Sequence, residues 1–92
     1  MEEQRISFDP TPPVRGQSVT ICYDFDGAGI TSTTLRVTFD PGGQSSDHDV
    51  SDQNHCVTIT VPSDAKSILV EDLSGVSPNN TSPCVKPAAV PA

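Results

Sequence analysis

The stretch Gly16-Gln-Ser-Val-Thr-Ile-Cys-Tyr-Asp-Phe-Asp-Gly27 decides how this chain is read. Val19, Ile21, Tyr23 and Phe25 alternate there with Thr20, Cys22, Asp24 and Asp26. Successive side chains of an extended strand point to opposite faces, so a period of two places the four apolar residues on one side of a half-buried strand. The run holds the chain's only tyrosine and one of its three phenylalanines, which marks it as the central strand of the core.

On the N-terminal side, Arg5-Ile-Ser-Phe-Asp9 alternates briefly and stops at Pro10. Proline has no N–H to give a ladder, so Thr11-Pro12-Pro13 reads as a break in an edge strand that resumes at Val14 and shields the sheet from stray pairing. On the C-terminal side, Asp26-Gly27-Ala28-Gly29 is a turn. Thr33 to Asp40 then alternates with Leu35, Val37 and Phe39 inward, and Pro41-Gly42-Gly43 ends the run. The polar segment Gln44 to Asn54 has Val50 as its only apolar anchor and is expected to be a loop with a short edge strand at 48–50. Cys56 to Val61 is a strand with Val57, Ile59 and Val61 inward. Ser67 to Leu73 is another, with Ile68 and Val70 as its buried pair. Beyond Ser74 prolines punctuate the chain, and a last short strand is expected at 84–86. The expected organisation is a disordered start at 1–4, one domain over 5–86, and a proline- and alanine-rich tail or linker at 87–92. No helical periodicity is sustained anywhere; short strands separated by turns point to an all-β, antiparallel sandwich.

The totals limit the function. Ninety-two residues with 34% apolar content and no tryptophan make one thin core, close to the size at which burial only just outweighs chain entropy. Five scattered basic residues in a chain of net charge −7 argue against nucleic acid or an anionic membrane as partner, because phosphate binding needs clustered cations. No apolar run reaches the ~20 residues that cross a bilayer, and Met1-Glu-Glu-Gln-Arg5 is not a signal peptide. The chain is then either cytosolic as written or a module of a longer exported protein.

The succession Pro12-Pro-Val-Arg-Gly-Gln-Ser-Val-Thr-Ile21, Leu35-Arg-Val-Thr-Phe39, Cys56-Val-Thr-Ile-Thr-Val-Pro62 and Ile68-Leu-Val-Glu-Asp-Leu-Ser-Gly75 resembles bacterial immunoglobulin-like and fibronectin type III-like modules. The resemblance implies a seven-stranded antiparallel immunoglobulin-like sandwich. It also implies an accessory role in an exported or cell-surface protein: spacer, adhesive module, or attachment to a polysaccharide-acting enzyme. The chain departs from antibody domains in lacking the core tryptophan and a cysteine on the sixth strand. In such a sandwich the strands holding Cys22 and Cys56 are antiparallel neighbours, and both cysteines take outward parity, so a Cys22–Cys56 disulfide is the preferred pairing. A bridge from Cys84 to either partner, or three reduced thiols, are the alternatives.

Chemical motifs are scarce. Asp47-His48-Asp49 to His55-Cys56 contains metal-binding residue types, but its spacing matches neither a zinc nor a calcium motif, and alternation splits the groups between faces. His55 and Cys56 likewise point apart on a strand, and no nucleophile motif occurs. No enzyme, metal or cofactor is expected. Asn79-Asn-Thr-Ser82 holds two overlapping glycosylation sequons, read here as a Ser/Asn turn. The implied topology gathers segments 26–32, 51–55 and 74–83 at one end, nominating Asp26, Asn54, Asn79 and Asn80 as a polar binding surface. The partner expected is a protein or a cell-surface glycan, met by a monomer or by one module of a multidomain chain. A carbohydrate-binding accessory domain is the alternative, weakened because Phe8, Tyr23, Phe25 and Phe39 all read as core.

Overall fold

A computed structural model describes residues 3–88. Seven strands, β1 (Ile6–Asp9), β2 (Ser18–Tyr23), β3 (Ser32–Asp40), β4 (Gln44–Ser51), β5 (Cys56–Thr60), β6 (Ser67–Asp72) and β7 (Asn80–Pro83), form two antiparallel sheets. One has the order β1-β2-β5, the other β4-β3-β6-β7. The protein is an all-β sandwich of three strands on four. Residues 1–2 of the start expected at 1–4, and 89–92 of the tail expected at 87–92, lie outside the described residues.

Alternation builds the core as expected. Val19, Ile21 and Tyr23 of β2, Leu35 and Val37 of β3, and Ile68 and Val70 of β6 are buried, joined by Val61 after β5. Val57, Ile59 and Phe39 pack against this cluster but stay partly exposed. Leu73, of opposite parity to the buried pair Ile68 and Val70, is 46% exposed.

Three boundaries differ from expectation. Segment 44–51 is a complete strand, paired with β3 from Ser32↔Ser51 to Phe39↔Gln44. Its hairpin turns through Gly42 (φ +100°) and Gly43 (φ +64°), conformations open to a residue without Cβ. The last strand lies at 80–83 rather than 84–86, held to β6 by backbone pairing alone because its sequence has no apolar face. β2 ends at Tyr23, leaving Phe25 just beyond it. The resumption at Val14 does occur, but in the other sheet's territory: Val14 bridges Val85 in parallel, with Arg15 N–H donating to Val85 O and Val85 N–H to Pro13 O, both 2.9 Å.

Two hydrogen bonds fix how the sheets face each other. Asn80 Nδ2 donates to Ile6 O at 2.7 Å, setting β7 over β1, and Tyr23 Oη donates to Asp72 Oδ2 at 2.6 Å, setting β6 over β2. Continuing the two strand orders puts β3 over β5. β4 therefore lies at the margin of the sandwich: Val50, near its loop end, is buried in the core at 2% exposed, whereas Gln44 and Ser46 on the same face are exposed, so that part of the strand overhangs.

Candidate functional site

The β2–β3 segment (24–31), the β4–β5 turn (52–55) and the β6–β7 segment (73–79) meet at one end of the sandwich. Backbone bonds hold them there: Asp52 N–H to Thr31 O (3.0 Å) joins the first two, Tyr23 N–H to His55 O (2.8 Å) ties the β4–β5 turn to β2, and Leu73 N–H to Thr34 O (3.0 Å) ties the third segment to β3. Arg5, at the entry to β1, ties the group together. Its N–H donates to Ser77 Oγ, and Nη1 donates to the carbonyls of Asp24 (3.0 Å) and Asp26 (2.7 Å). A guanidinium with several rigid donors suits this bridging role. Gln4 adds a bond from Nε2 to Asn79 O.

Beneath the β6–β7 segment sits a buried carboxylate. Asp72 is 6% exposed and accepts from Tyr23 Oη, Thr33 Oγ1, Ser74 N–H and Oγ, and Ser77 N–H at 2.6–3.0 Å. Burial alone would push its carboxyl up. The hydrogen bonds from Thr33, Tyr23, Ser74 and the Ser77 backbone outweigh that and hold it at about 2. Tyr23 moves the other way, to about 12, first because it is buried and then because its proton is held by Asp72. The pair titrates outside the physiological range, so it anchors the segment rather than exchanging protons.

Between β1, the β2–β3 segment and the β4–β5 turn lies an open depression of about 780 Å³. Half-buried Phe25 and Ile30 supply its apolar lining, and exposed Asp24, Asp26, Asp52 and His55 much of its polar lining. The Phe25 ring packs on Tyr23, with centroids 4.6 Å apart and planes tilted by 50°.

The nominated residues divide between this end's surface and its scaffold. Asp26 is exposed, lines the depression and donates its N–H to Asp24 Oδ1. Asn54 is exposed in the β4–β5 turn, bonded through its backbone to Ser51. Asn79 is exposed and accepts from Gln4. Asn80 is not in a loop: it opens β7 and its amide is engaged by Ile6 O. Cys22 and Cys56 are opposed across β2 and β5 and form the disulfide, on the outer face beside the depression, which Cys22 lines. Cys84 is free and 4% exposed, so neither alternative pairing forms. Burial raises its thiol pKa, with Arg15 opposing.

The Asp/His-rich strand β4 disperses its groups. Arg36 binds Asp47 through Nε (2.9 Å) and Nη2 (3.2 Å), Thr34 Oγ1 donates to Asp49, and His48 Nε2 pairs with Ser46 Oγ. Among the described residues no group of three or more His, Cys, Asp or Glu converges to hold a metal. The sequence reading missed Asp72, although the inward parity of Ile68 and Val70 continues to it; it also assigned Phe25 fully to the core. Comparison with family models, curated proteins and solved structures found no significant match to the chain.

Proposed function

We propose that the chain is a non-catalytic interaction or spacer module of a larger exported protein, contacting its partner through the loop end. The supporting observation is the depression itself. An aromatic and an aliphatic side chain lie half-exposed in it among carboxylates and an imidazole, on a scaffold tied by Arg5 and Asp72. Recognition sites combine apolar contact with a few placed polar groups in this way. The disulfide supports the exported setting, because such bonds persist in oxidising compartments. The strand order supports the immunoglobulin-like, fibronectin type III-like relationship. Constant-type domains place their fourth strand beside the fifth, and here it has moved beside the third.

Phe25 favours a second reading, a carbohydrate-binding accessory domain, since a half-exposed ring bordered by Asp24 and Asp26 offers a sugar both stacking and hydrogen bonds. Titration against a panel of soluble glycans, run beside affinity capture of exported proteins, separates the two. Saturable sugar binding lost in Phe25→Ala supports the second; a protein partner lost in Asp26→Ala supports the first. A partner or glycan bound unchanged by both variants overturns the site.

A further inference from the structure

The three-on-four arrangement of the described strands leaves one position of the sandwich vacant, beside β5 and beneath the part of β4 that precedes buried Val50. Sheet edges are usually guarded against pairing. β1 runs into Pro10, Pro12 and Pro13; β7 ends on Pro83 and continues into the Val14–Val85 bridge; β4 carries Asp47 and Asp49. β5, Cys56-Val-Thr-Ile-Thr60, has no charge, proline or glycine.

Its free hydrogen-bonding groups follow from the ladder. Tyr23 N–H reaches His55 O and Val61 N–H reaches Gln17 O. With the register Val19↔Ile59 and Ile21↔Val57 between them, odd-numbered residues of this strand bond β2. The N–H and C=O groups of Cys56, Thr58 and Thr60 therefore point to the open edge.

We infer that an extended segment of a partner chain adds to β5 as a fourth strand and lies under β4. A second copy does not fit. Continuing this sheet across two molecules would drive each β4 into the other's second sheet, and each copy carries net charge −7. A single extended segment avoids the overlap, and the acidic surface selects one flanked by basic residues. Its inward side chains meet half-exposed Val57 and Ile59 on one side and, on β4, Ser46 and His48, which share the inner face through pairing with Val37 and Leu35. Threonine answers both, with a methyl for the former and a hydroxyl for the latter. The partner is thus a basic, threonine- and valine-rich extended strand, bound at a surface separate from the loop-end depression.

The test is amide hydrogen exchange on the disulfide-bonded chain, with and without millimolar amounts of a short peptide alternating threonine and valine between terminal lysines. Exchange at Cys56, Thr58 and Thr60 is expected to slow on the order of tenfold or more, and at Val57 and Ile59, already bonded to β2, to change little. Ser46→Lys, at an exposed position, places bulk and positive charge in the slot and should abolish the effect with the fold intact. Unchanged exchange at all three amides overturns the inference. So does protection that grows with protein concentration without peptide, which would make the occupant a second copy, and so does a response confined to residues 24–31 and 52–55.

Discussion

Tyr23 and Asp72 meet across the sandwich interior, phenol to carboxylate at 2.6 Å, with 1% and 6% of their surfaces exposed. One comes from the strand that organises the first sheet and the other from the end of a central strand in the second. The contact joins the sheets at the place where the loop end begins.

Asp72→Asn keeps the shape but replaces an acceptor oxygen with an NH₂ facing donors from Tyr23, Thr33, Ser74 and Ser77. Stranding buried donors is expensive, and the expected loss is on the order of 3 kcal/mol in urea unfolding. Tyr23→Phe removes one donor and leaves the others, so about 1–2 kcal/mol should go. Equal losses from the two substitutions would contradict a multidentate Asp72.

The same pair sets both ends of the pH profile. Asp72 has its carboxyl depressed from 3.8 to about 2, so its contribution is present above the unfolded value and disappears as pH falls through that window. Tyr23 is raised from 10.0 to about 12, so its contribution is complete below pH 10 and disappears as pH rises towards 12. Each is worth on the order of 2 kcal/mol. Midpoints measured from acid to alkali should lose the acid limb's Asp72 share in Asp72→Asn and the alkaline limb's Tyr23 share in Tyr23→Phe.

The Cys22–Cys56 bond spans 34 residues. Closing a loop of that length restricts the unfolded chain by about 3–4 kcal/mol. For a core this thin, the Cys22→Ser/Cys56→Ser double variant should be mostly unfolded at body temperature by circular dichroism, or recover only as a low-melting form. An unchanged melting temperature would refute the staple's importance.

Gly43 holds φ +64°, and a methyl group added there would meet nothing within 4 Å, so Gly43→Ala isolates the backbone cost of the turn. A loss of about 1 kcal/mol is expected by urea titration. Asp47→Asn makes the contrast: its Arg36 pair is solvent-exposed, and breaking it should barely move the midpoint, with any change vanishing in high salt.

Strands with one face in the core announced themselves in the sequence. β2, β3, β5 and β6 alternate because each has a sheet opposite it, and the parity that turned Cys22 and Cys56 outward also aligned them for bonding. β4 and β7 gave no such signal. β4 meets the core only at Val50, the anchor of the short strand expected at 48–50, and Gln44, Ser46 and His48 on the same face add no apolar residue; β7 is a short edge held by backbone pairing, so Asn80-Thr-Ser-Pro83 reads as a turn. The gathering of the three loops followed from topology once the strands were placed. Asp72 was hidden because a carboxylate at an inward position is counted as surface until its donors, from residues as distant as Tyr23 and Thr33, are brought around it.

Cys84 stands 4% exposed with its thiol pushed towards the protonated form by burial. Exchange with the Cys22–Cys56 bridge requires a thiolate and physical access; burial disfavours the first and restricts the second. Scrambling is thereby confined to molecules that have already unfolded, and the Cys22–Cys56 pairing is preserved for as long as the fold lasts.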